Sequence, residues 1–121
     1  MSTMSLSRKL LLKSWEWLLL VDPPDGHREL FNDVELVDWP GEVPNVLLYV
    51  QDKAHLAERL PAAATRLLGD GRLRIAYPKA KKLGTDLNRD SLWKLMEPHG
   101  FEGVRLTSLD DTWSAMMFRR A

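Results

Sequence analysis

Asp22, Asp25, His27 and Arg28 follow closely on the apolar run from Trp17 to Val21. Two carboxylates and an imidazole are groups that exchange protons near neutral pH or hold a hard metal ion. Asp38 adds a third carboxylate a short way along the chain. No metal is expected, because His27 has no ligand-type residue four positions along a helix and the sequence carries no calcium-loop pattern. A His–Asp pair can move a proton, but no serine stands in a nucleophile elbow to receive its help. No catalytic residue is therefore assigned. The second cluster is Lys79, Lys81 and Lys82 in "PKAKKLGTD". Three ammonium groups between a strand end and a helix start read as an anion or phosphate site, or as a solvated loop. The glycine spacing of a P-loop is missing.

The elements that must hold these groups can be read from hydrophobic pattern. Ser5 to Lys13 reads as a short helix capped by Ser5 or Ser7. Trp17 to Val21 is a strand covered on both faces, stopped by Pro23 and Pro24. Val34 to Trp39 and Asn45 to Val50 are two further strands, with Pro40, Gly41 and Pro44 between them. Asp52 caps a helix with Leu56, Leu60, Ala64, Leu67 and Leu68 on one side, and Pro61 is expected to kink or split it. Gly69 to Gly71 then close that helix and release the strand "GRLRIAYP". Asp86 or Asn88 caps the next helix, which buries Leu92, Leu95 and Met96 and ends at Pro98 and Gly100. "GVRLTSLD" and "TWSAMMFRR" flank Asp110 and Asp111 as an antiparallel hairpin. The pattern predicts one three-layer, Rossmann-like α/β domain over residues 1–121, with 1–14 helical and 15–120 forming a mostly parallel sheet.

Composition narrows the function classes. The 121 residues suit a single domain, and 45% of them are apolar. Lys+Arg and Asp+Glu both number 17, so no bulk charge draws the chain to nucleic acid or lipid. With no cysteine there is no disulfide framework, thiolate metal site or thiol nucleophile. No apolar run reaches membrane-span length, and the cytoplasm is the expected location. Trp113 and Trp93 read as packing residues, with Asp110 as a partner for a backbone N–H or for Trp113. Trp15, Trp17 and Trp39 form a candidate apolar flank for a homodimer.

The sequence of elements, with "LLGDGRLRIAYP" late in the sheet, resembles the class I methyltransferase fold. "YPKAKKLGTDLNRDSLWKLMEPHGFEGV" followed by "DDTWSAMMFRR", together with the proline pair of "VDPPDG", is similar to a bacterial family defined as a domain of unknown function. The resemblance covers most of residues 15 to 120. It implies a shortened methyltransferase fold that binds ligands above the carboxyl ends of its strands. Asp22, Asp25, Gly26, His27 and Arg28 are expected there, then Asp38, Gln51 and Asp52, then Lys79, Lys81 and Lys82. For each the alternative is structural: turn, cap or solvated charge. Such enzymes place a glycine-rich loop after the first strand, whereas two prolines stand here and remove two N–H groups. The expected function is a non-catalytic module for a small anionic ligand or partner protein. An S-adenosylmethionine-dependent methyltransferase is the alternative. Anion or nucleic-acid binding through the Lys79–Lys82 loop ranks third, since no aromatic residue interleaves those lysines.

Overall fold

The computed structural model describes residues 6–12, 16–31, 33–38, 41–79 and 82–121. A single helical turn, α1 (Leu6–Lys9), opens the chain. It is shorter than the predicted Ser5–Lys13 segment because Leu11 turns left-handed, φ 59°, and its N–H returns to the Arg8 carbonyl. The uninterrupted apolar run forms β1 (Trp17–Val21). A 3₁₀ turn at Arg28–Leu30 leads to β2 (Glu35–Leu36), which is briefer than the Val34–Trp39 strand predicted; Trp39 and Pro40 lie outside the described residues. β3 (Val43–Tyr49) follows, starting two residues earlier than expected.

Asp52 caps α2 (Lys53–Thr65) as predicted, accepting the His55 N–H at 2.8 Å. Pro61 does not split this helix. Proline deletes one hydrogen bond, to the Ala57 carbonyl, and both residues face solvent, where water replaces the missing donor. The helix ends at Arg66, so Leu67 and Leu68 belong to β4 (Leu67–Pro78), and Gly69–Gly71 lie inside that strand instead of closing the helix. Between Val43↔Leu67 and Asn45↔Arg72 the two strands slip register, so β4 bulges over its glycines. Gly71 is required there: a Cβ would stand 2.8 Å from the Pro44 carbonyl oxygen. A 3₁₀ turn at Lys82–Gly84 precedes α3 (Arg89–Met96), capped by Asn88 in a reciprocal box with Ser91. Leu92 and Met96 are buried as expected, whereas Leu95 faces outward.

β5 (Phe101–Ser108) and β6 (Trp113–Arg120) form the C-terminal hairpin. The sheet order is β2-β1-β3-β4-β6-β5; the first four strands are parallel, and β6 inserts antiparallel between β4 and β5. Arg120 fastens the hairpin to the α2–β4 junction, donating to the carbonyls of Leu68, Ala64 and Leu67. Both faces are apolar. On one, Leu56, Leu60 and Ala63 of α2 and Leu92 and Met96 of α3 cover Val46, Leu48, Leu73, Ile75 and Phe118. On the other, Leu10, Leu12, Phe31 and Leu109 cover Leu18, Leu20, Leu47, Tyr49 and Ala76. Burying each such side chain is worth about 1.5–3 kcal/mol, which is why β3, covered on both sides, anchors the layers. No helix among the described residues is long and apolar enough to cross a membrane.

Candidate functional site

The order of strand addition reverses between β1 and β3: the chain goes from β1 outward to β2 and then back past β1 to β3, which creates a crevice at the carboxyl ends of β1 and β3. The loop after β1, the start of α2, the loop after β4 and the β5–β6 turn all meet at this edge. Most of the sequence-predicted residues lie here, but they fall into three separate groups.

The first group is centred on Asp22, whose left-handed backbone, φ 55°, turns the chain off the end of β1. Its Oδ2 accepts from His55 Nε2 and from Arg59 Nε, each at 3.1 Å. The Gln51 N–H donates to His55 Nδ1 at 3.1 Å, so the ring's proton is on Nε2 and points at the carboxylate. Two turns of α2 are thereby tied to the β1 end. His55 and Arg59 were not singled out in the sequence; their i, i+4 spacing was the available signal.

In the second group His27 and Tyr49 are buried and Asp110 is exposed. His27 Nδ1 meets the Tyr49 hydroxyl at 2.8 Å, and Nε2 meets Asp110 Oδ2 at 2.9 Å. A carboxylate can only accept, so the imidazole donates from Nε2 and the phenol donates to Nδ1. Asp110 Oδ1 accepts the N–H groups of Thr112 and Trp113, as expected for its turn. Trp113 packs edge-on against Tyr49 at 5.3 Å between centroids, in the packing role predicted for it. Burial raises the Asp110 carboxyl, but the Trp113 and Thr112 N–H groups and His27 outweigh it and hold the group below its ordinary value. Burial, then the charge of Asp110, pushes the Tyr49 hydroxyl well above the usual phenol range. The order carboxylate, imidazole, hydroxyl is that of a proton relay. Its terminal oxygen belongs to a residue only 1% exposed, and the array ties loop, β3 and hairpin together.

The third group is the lysine loop. The Lys79 ammonium donates to the Ser108 hydroxyl and that of Lys82 to the Asp111 carbonyl at 2.6 Å, so both fold back onto the hairpin turn. Lys81 lies outside the described residues. Asp86 does not cap α3; its Oδ1 accepts the Lys53 N–H at 2.8 Å, placing a second carboxylate beside Asp52 at the N-terminus of α2. Asp25, Gly26, Arg28 and Asp38 are exposed and do not converge. Among the described residues no three carboxylate or imidazole groups could hold a metal ion. Of the tryptophan flank only Trp17 is described, half-exposed on β1; Trp15 and Trp39 lie outside the described residues.

No protein-family model matches the chain, and no curated protein matches it by sequence. Solved structures do match it in shape. A ribosomal protein L11 methylase from Lactobacillus delbrueckii subsp. bulgaricus superposes with a TM-score of 0.58 at 11% identity, over 96% of this chain and 74% of that one. A TehB-like SAM-dependent methyltransferase from Corynebacterium glutamicum gives 0.60 at 11% identity, over 99% and 89%. This is a shortened methyltransferase-like fold. The 1,6-didemethyltoxoflavin-N1-methyltransferase of Burkholderia thailandensis, whose structure holds S-adenosylhomocysteine, is similar at a TM-score of 0.59 and 13% identity, over 96% and 75%. At these identities the likeness is one of fold, and function has to be argued from the site.

Proposed function

We propose that this chain is a non-catalytic binding module built on a methyltransferase-like scaffold, and that its carboxyl edge does not hold S-adenosylmethionine. The observation that carries this reading is the bridge from Asp22 to His55 and Arg59, which joins the end of β1 to α2 across the crevice. A nucleoside cofactor needs free backbone amides at that position. Pro23 and Pro24 have none, and the N-terminus of α2 already donates to Asp52 and Asp86. The one glycine in the loop, Gly26, forms no cradle: a Cβ built on it would meet nothing within 4 Å. These residues do not fit the cofactor, so no methyl-transfer step is derived.

The test is thermal unfolding with S-adenosylmethionine and S-adenosylhomocysteine. A ligand at 100 times its dissociation constant stabilises by about 2.7 kcal/mol, a rise of roughly 10 °C in a domain of this size. Neither compound is expected to move the transition. A rise of that order with either one would replace this proposal with the methyltransferase reading.

A further inference from the structure

A cavity of about 630 Å³ opens at the opposite edge of the sheet, at the amino ends of β1, β3 and β4. Its walls include Leu11, Trp17, Pro44 and Met117, with Asn45 and Arg74 between them. Arg74 lies in mid-strand on β4, on the face away from α2 and α3, and is only 3% exposed. Its Nη1 donates to Asn45 Oδ1 at 3.0 Å and its Nη2 to the Leu10 carbonyl at 2.9 Å. Both acceptors are neutral, and among the described residues the Nε–H meets no acceptor. A buried guanidinium without a carboxylate is costly, and a buried donor left unmade costs about 1–3 kcal/mol more.

The nearest carboxylate does not repair this. Glu16 Oε2 accepts from Asn45 Nδ2 at 3.3 Å, leaving the amide oxygen turned to Arg74 but no direct ion pair. Burial lowers the Arg74 pKa to about 10, Glu16 working against that shift and Arg72 and Arg105 with it. The charged groups that line the cavity are Arg72 and Arg74 against Glu16 and Asp70, two of each sign. An anion is drawn here by Arg74 itself, which has no carboxylate in direct contact among the described residues, and the apolar walls favour one carried on an apolar body.

We propose that this cavity binds a small organic carboxylate with an apolar body, its carboxylate received by Arg74 and its body lying against Trp17, Leu11 and Met117. Size and lining agree with such a ligand, since small-molecule sites are mostly apolar clefts of roughly 300–1,000 Å³ with a few fixed polar groups. The inference concerns the amino edge and stands independently of whether the carboxyl edge binds a nucleoside.

The experiment is a titration of ¹⁵N-labelled protein, following the assigned Arg74 Nε–H resonance and the melting temperature. The probes are benzoate, acetate, benzyl alcohol and inorganic phosphate. Benzoate should move the resonance saturably and raise the melting temperature, with acetate and benzyl alcohol each at least roughly tenfold weaker for want of one half of the interaction. Arg74→Lys should abolish the benzoate effect. Trp17→Ala, at a half-exposed position, should weaken it severalfold in protein whose melting transition remains cooperative. An Arg74 resonance that benzoate leaves in place overturns the proposal, as does undiminished binding in Trp17→Ala. Phosphate binding more tightly than benzoate overturns the assignment to carboxylates.

Discussion

Both ring nitrogens of His27 are engaged, one by a phenol and one by a carboxylate, and the loop after β1 depends on them for its position. Removing the Tyr49 hydroxyl leaves a buried ring nitrogen unpaired, so Tyr49→Phe should cost about 1–3 kcal/mol in chemical denaturation. Asp110 adds a pH dependence. Its carboxyl titrates lower in the folded chain than its ordinary value of 3.8, so its stabilising contribution is complete above that pH and is lost as pH falls through the lower, folded value. Wild type and Asp110→Asn should therefore differ most above pH 3.8 and converge in stronger acid; a gap that stays constant would show that the carboxylate's charge has no part in the tie. The sequence reading set His27 among rim residues for a ligand, where the structure buries it against Tyr49 and Asp110, and it gave Asp110 its backbone partner at Trp113, but nothing local joined the two. They are 83 residues apart, and such a pairing becomes visible only once the sheet brings loop and hairpin together.

At the scale of elements, β1, β3 and the C-terminal hairpin were legible because a run apolar on both faces, or two such runs around Asp110 and Asp111, has few other solutions. Punctuation was where the reading failed. Glycine and proline ordinarily interrupt structure, yet Gly69–Gly71 sit inside β4 and Pro61 inside α2, since a register slip tolerates the first and exposure to water the second. The proline still carries a cost. In a helix interior it is roughly 3 kcal/mol worse than alanine, and here its side chain faces solvent with no packing to lose. Pro61→Ala is expected to stabilise the protein by about 1–3 kcal/mol, raising the melting temperature by several degrees. An unchanged or lower melting temperature would mean that the proline ring makes contacts the helix needs.

Across the whole molecule, the two edges of the sheet differ in kind. The carboxyl edge, where the fold predicts ligands, is bound up by Asp22, His27, Asp86 and the lysine loop, all acting on other parts of the chain. The amino edge, for which sequence rules make no prediction, holds a cavity and an arginine whose Nε–H has no acceptor among the described residues. That site was illegible because an arginine in the pattern "RLRIAYP" looks like the solvated side of an edge strand, whereas β4 is central and both its faces are covered. The position of β6 also has a consequence in time. β6 is the last strand made, yet β5 is hydrogen-bonded to the sheet only through it. During synthesis, residues 101–108 therefore have no partner until residues 113–120 leave the ribosome, and the β4 edge stays open to other chains for as long. Ribosome-held chains carrying residues 1–112 followed by a linker long enough to clear the exit tunnel should be cut by protease within β5, while chains with the same linker placed after Ala121 should resist; equal sensitivity would mean that the nascent hairpin half is protected by something other than its own final strand.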